Sequence, residues 1–155
     1  MLSLSSQSTS APTDAREAWH QLLQVSSRTL RAIDAALDES ERLMVSEFDV
    51  LITLYNAQDG RLRMTDLANA TMLSSGGLTR LIGRLEQRGL VRKDVDPDDR
   101  RAFHASLTPA GHEKLAQARE PHDAVIRRQF EDRLTPKELR VLKSTLAKLL
   151  KDAAE

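Results

Sequence analysis

The segment SSGGLTRLIGRLEQRGL, residues 74–90, combines hydroxyls, bare backbone and guanidinium groups in a spacing suited to contact with a polyanion. Leu78, Leu81, Ile82 and Leu85 recur at helical intervals, which predicts an amphipathic helix capped by Ser74 and stopped by Gly89. On a helical wheel the opposite face holds Gly76, Arg80, Gly83 and Gln87, with Thr79 and Arg84 beside it. A glycine inside a helix costs about 1 kcal/mol relative to alanine, so three in one helix ask for a return. At the helix start the backbone N–H groups are free. With no Cβ at Gly76 and Gly77, and with hydroxyls at Ser74, Ser75 and Thr79, phosphates and base edges can approach closely. A surface helix with incidental glycines fits the same residues.

A second group of charges follows. VRKDV (91–95) and AFHASL (102–107) are short alternating segments on either side of the polar turn DPDDRR, and together they predict a two-stranded hairpin. Its tip, Asp99-Arg100-Arg101, projects two guanidinium groups on a narrow ribbon, a shape that fits a minor groove. A solvated charged turn is the alternative, because Asp94, Asp96, Asp98 and Asp99 lie close by. From Gly76 to Arg101 there are seven basic residues and five acidic ones, so the patch is basic only if the arginines share a face. An aspartate beside a wing arginine also serves to hold its fork in one orientation.

The elements that must carry these groups are mostly helical. Residues 1–12 are Ser-rich and expected to be disordered. Thr13 is a predicted cap for a long helix through Trp19, Leu22, Leu23, Leu30, Ile33 and Leu37. Ser46 and Asp49 have capping-box spacing and predict the start of a second helix, ended by NAQDG; Thr65 opens a short third. After the hairpin, Thr108-Pro109 starts a long helix with an expected bend near Pro121. Thr135 and Glu138 cap a last helix striped by Leu139, Leu142, Leu146, Leu149 and Leu150. The fold class expected is mainly α with a small β hairpin: a winged helix-turn-helix lobe (45–108) plus a helical dimerisation lobe (13–44 and 109–155), forming a single domain over 13–155. The flanking stripes are too apolar for the centre to cover, and they ask for a partner.

Several function classes fall away. There are no cysteines, which excludes a disulfide framework, a thiolate metal site and thiol redox sensing. No apolar run approaches the roughly 20 residues of a membrane span, so a cytoplasmic protein is expected. Lys plus Arg (23) equals Asp plus Glu (23), so any DNA affinity must come from a local patch. His20, His104, His112 and His122 show no i, i+4 pairing, and neither a metal nor a cofactor is expected. HEKLA (112–116) lacks the second histidine of a zinc-protease helix, and no phosphate loop or nucleophile elbow is present. An enzyme is not expected.

The sequence resembles the MarR family of bacterial winged helix-turn-helix regulators. SSGGLTRLIGRLEQRGLV and DDRRAFHASLTPAG carry the resemblance; Asp99, Arg101, Leu107, Thr108 and Gly111 fit the family's D-x-R, five residues, L-T-x-x-G signature. The resemblance implies an obligate homodimer, made by the first and last two helices, on a palindromic double-stranded DNA operator. It implies that Ser74, Ser75, Gly76, Gly77, Thr79, Arg80 and Arg84 lie on the recognition helix at the major groove. Arg101 would enter the minor groove beside Arg100, with Asp99 paired to it. Relatives often carry a polar or acidic side chain where this chain has Gly83. The resemblance further implies a repressor released by a small aromatic or phenolic effector, for which Trp19, Tyr55 and His112 are candidates. Trp19 fits core or dimer-interface packing better. A helical homodimer without DNA binding, serving as an interaction or small-molecule-binding protein, would explain the stripes but not the wing.

Overall fold

The computed structural model describes residues 13–71 and 73–151, so the expected disordered tail lies outside the described residues. Helix α1 (Thr13–Glu41) runs further than its apolar stripe, and of that stripe only Ile33 and Leu37 are buried. It ends where Arg42 takes a left-handed backbone (φ 53°), with Leu43 N–H donating to Leu37 O at 3.3 Å. That bond closes the helix C-terminus and turns the fully buried Leu43 into the core.

Helix α2 (Val45–Tyr55) starts differently from the expectation. Ser46 and Asp49 do not form its cap. The Glu47 carboxylate accepts from Met44 N at 3.1 Å, and Asp34 from α1 accepts from Val45 N at 2.8 Å. Two carboxylates thus satisfy the free N–H groups and complement the positive helix end. Ser46 stands inside the first turn, where its hydroxyl is not needed as a cap.

The predicted hairpin is two-thirds of a sheet. Strand β1 (Arg61–Arg63) pairs antiparallel with β3 (Phe103–Leu107), which also pairs with β2 (Val91–Val95), giving the order β1-β3-β2. Ala105, opposite both Leu62 and Lys93, is fully buried, whereas the outer cross-strand pair Val95 and Phe103 is exposed. Between β1 and β2 lie α3 (Met64–Thr71) and α4 (Ser75–Gln87). Leu51, Leu54, Leu67, Leu78, Ile82 and Leu85 form the centre of the core, and Leu37 and Leu115 enter it from the flanking helices. This is the winged-helix arrangement that the sequence predicts.

Helix α5 (Pro109–Ile126) passes through Pro121 without a break. Buried Ala118 and Val125 anchor it on both sides of the proline, which removes only one backbone hydrogen bond. No interruption therefore occurs at Pro121, and a π-helical turn, Arg127–Glu131, follows before α6 (Pro136–Lys151). Helix α6 buries no residue within the chain, and Val141, Leu149 and Leu150 are exposed, as are Trp19, Leu23 and Leu30 of α1.

Candidate nucleic-acid interface

Helix α4 begins at its predicted cap. Ser74 Oγ accepts from Gly77 N at 3.1 Å, and a Cβ on Gly77 would stand 3.0 Å from that hydroxyl. Gly76 and Gly83 have nothing within 4 Å of where a Cβ would lie. The three glycines therefore have two roles: Gly77 makes room for the cap, while Gly76 and Gly83 leave backbone bare on the solvent face. Thr79 donates its hydroxyl to Ser75 O at 2.8 Å, which leaves it as an acceptor only. The helix ends at Gly89 (φ 70°), with Leu90 N–H on Leu85 O at 2.9 Å.

The arginines divide by partner. Arg88 Nη1 lies 3.1 Å from Glu47 Oε2 and Arg84 Nε 3.8 Å from Glu47 Oε1; Arg92 pairs with Asp94 at 2.7 Å. Among the described residues Arg80, Arg100 and Arg101 have no ion pair and are exposed. Within residues 76–101 the arginines without an ion pair thus stand on the outward face of α4 and at the wing tip, while Lys93 lies over the Phe103 ring at 4.2 Å.

The wing turn is built by Asp96, one of the four aspartates near the hairpin tip. Asp96 is 2% exposed. Its Oδ1 accepts from Asp98 N at 2.8 Å and Asp99 N at 3.3 Å, while Oδ2 faces Arg63 of β1 at 2.8 Å and His104 Nδ1 at 3.5 Å. Asp99 does not grip the Arg101 guanidinium; its Oδ1 accepts from Arg101 backbone N at 2.9 Å and shapes the loop. The expected side-chain pairing is corrected accordingly: the aspartates fix the backbone and leave the arginine forks free. The Asp-Pro dipeptide at 96–97 is a turn signal, but nothing local marks Arg63 as its partner.

The backbone N–H of Asp98, then Arg63, Asp99 and His104, hold the Asp96 carboxyl below the usual carboxylate range against the opposing effect of burial. A group with a depressed folded pKa stabilises the fold above its unfolded value of about 3.9, and that contribution is lost as pH falls through the folded value. Asp96→Asn should therefore lower the urea midpoint at pH 6 and flatten its decline below about pH 4. An acid limb identical to that of the unmodified protein would overturn this assignment.

The joint between α4 and the last helices uses the L-T-x-x-G motif. Thr108 Oγ1 donates to Gly89 O at 2.6 Å and accepts from Gly111 N at 3.0 Å, while Thr108 N–H donates to Leu90 O at 3.1 Å. Gly111 packs so closely on Leu90 that a Cβ would lie 2.0 Å from its carbonyl oxygen.

A cleft of about 470 Å³ opens between α1, α2 and α5. Leu30, Ile33, Val45, Phe48 and Ile52 form its apolar wall, and Ser46, Asp49, Arg119, His122 and Asp123 its polar side. The His122 ring stacks on Phe48 at 4.4 Å, and burial pushes the Asp49 carboxyl up. None of the effector candidates Trp19, Tyr55 and His112 lines this cleft. Tyr55 and His112 meet edge to face at 5.9 Å, with the Arg119 guanidinium 4.6 Å from the tyrosine ring. Trp19 is 56% exposed on α1. Among the described residues there is no group of three or more metal-ligating side chains, and no helix is long and apolar enough to cross a membrane.

Comparison with known proteins gives one consistent result. The MarR family model matches residues 43–102, from the entry into α2 to the wing. AbsC of Streptomyces coelicolor, a MarR family transcriptional regulator, is 31% identical and superposes with a TM-score of 0.82 over 91% of this chain and 95% of its own. Sco3205, from the same organism and solved in complex with DNA, is 25% identical with a TM-score of 0.84 over 92% and 89%. The transcriptional repressor MprA of Escherichia coli is 34% identical over 74 residues, 48% of this chain and 42% of its own. The chain spans about half the length of the curated relatives it matches, 54% and 60% for two of them.

Proposed function

The chain belongs to the MarR family of transcriptional regulators, and from that premise we propose that it is a ligand-responsive repressor binding a palindromic operator as a homodimer. The observation that carries the DNA-facing part is the unpaired charge: Arg80 on the bare outward face of α4, and Arg100 and Arg101 on a wing whose aspartates hold backbone instead of guanidinium. Ser74, Ser75, Gly76 and Gly77 present the start of α4 to the major groove, and Thr79 and Arg84 flank Arg80. Residues 45–108 serve as the DNA-binding lobe. The uncovered apolar residues of α1 and α6 serve the dimer, and the cleft takes a small aromatic acid with Arg119 as its counter-charge. An effector bound there stabilises the native state by mass action, and it releases DNA by favouring a different half-site spacing.

The two DNA-facing elements divide the work. Recognition helices of a helix-turn-helix dimer enter successive major grooves about 34 Å apart, where base edges discriminate sequence. Arg80→Ala should cost about 1–3 kcal/mol per half-site on the operator and much less on random DNA. Arg101→Ala should weaken binding to both DNAs by similar factors and flatten the salt dependence, because it removes one charge per subunit from a groove that reports little beyond A·T against G·C. A salt titration of both variants on both DNAs tests this. Equal operator-to-random ratios would refute the division, and unchanged affinity in Arg101→Ala would take the wing off the DNA. Binding by neither the variants nor the unmodified protein would favour a helical dimer without DNA function.

A further inference from the structure

Glu47 is 4% exposed, carries a charge, and is not needed as a carboxylate for the helix cap it completes. A glutamine would accept equally well from Met44 N. Beyond complementing the start of α2, the charge adds the contact with Arg84, in the second half of α4, and with Arg88, at its C-cap. A carboxylate beneath a helix that approaches a polyanion opposes binding, so its presence asks for a compensating effect. The geometry supplies one. Arg84 turns its Nε edge toward Glu47 at 3.8 Å while its side chain stays 52% exposed. That separation is an ion pair without a hydrogen bond, so Glu47 draws the guanidinium toward itself by charge and leaves its N–H donors free.

We propose that Glu47 is a positioning residue for DNA recognition: its charge biases Arg84 toward one backbone phosphate and withholds it from indiscriminate contacts. Phosphate contacts of fixed geometry set the register of a protein on the duplex, whereas mobile arginines add affinity without register. Glu47 therefore raises the ratio of operator to random-DNA affinity. The inference rests on the DNA-binding reading above and deepens it with a residue that touches no DNA.

The experiment uses the full chain, E47Q, R84A and the double variant, on a duplex carrying the sequence the protein protects and on a scrambled duplex, across a salt series with a thermal melt for each. E47Q should bind scrambled DNA about three- to tenfold tighter at low salt, with a log–log salt slope steeper by about 1 per subunit, as Arg84 reaches a further phosphate. Operator affinity should fall, so that the ratio drops by at least about tenfold. In the R84A background the same substitution should move the ratio by less than about threefold, since contacting residues are non-additive. An unchanged ratio in E47Q, or an equal drop with and without Arg84, overturns the proposal. If E47Q melts far below the unmodified protein, R84A decides: this surface change should itself lower the ratio, and an unchanged ratio overturns the proposal. An unmodified protein that shows no preference for any DNA overturns the DNA-binding reading together with this inference. Selective binding that E47Q retains overturns this inference alone.

Discussion

Gly111→Ala should cost at least about 3 kcal/mol, or prevent folding, although it adds a single methyl group. The added Cβ would meet the Leu90 carbonyl oxygen at 2.0 Å and its carbon at 3.0 Å. Both are backbone, so no rotamer change relieves the clash. Moving Leu90 would also disturb the bond from Thr108 N–H to the same oxygen, and with it the joint that fixes α5 against the end of α4. Native domains have only about 5–15 kcal/mol in reserve. Gly83→Ala is the matched control. A Cβ there meets nothing, so it should stabilise the helix by about 1 kcal/mol. Thermal melts of the two variants check both signs. A Gly111→Ala protein melting within about 3 °C of the unmodified one would sink the account of the motif.

Val141→Glu combined with Leu149→Glu should split the proposed dimer into single 17.3 kDa chains and lower affinity for the proposed operator at least about 100-fold, because the second half-site loses its tethered partner. Both residues are exposed within one chain, at 57% and 63%, so the substitutions break no packing inside it. Helix α6 buries nothing of its own, and a helix of that length is marginal in water without an apolar face covered. Circular dichroism should therefore show a loss of helix alongside the loss of mass, while the core around Leu51, Leu54 and Leu85 survives. Sedimentation of the unmodified protein at the mass of one chain, or of the variant at twice that mass, would refute the assembly.

Most of the helix caps and both strands of the hairpin are legible in the amino-acid sequence. A Ser74 cap, a Leu–Leu–Ile–Leu stripe and a Gly89 stop act within a few residues of one another, and the structure keeps all three. Thr108-Pro109 and Thr135 with Glu138 start α5 and α6 for the same reason: capping is local chemistry. Local signals also misled where two of them competed. Ser46 and Asp49 had the spacing of a cap, but Leu43 is drawn into the core and sets the helix start at Met44 and Glu47 instead. Strand β1 is three residues long, RLR, too short for alternation to register, and it exists because β3 offers it an edge.

Which charges are paired inside the protein and which stand free depends on the tertiary structure. Glu47 and Arg88 are 41 residues apart, and Arg63 reaches Asp96 from another strand. The seven basic residues between Gly76 and Arg101 look alike in a string of letters. Their division into paired and unpaired depends on how α2, α4 and the sheet come together. That approach is driven by non-directional burial of leucines, which carries no record of where a carboxylate will end up.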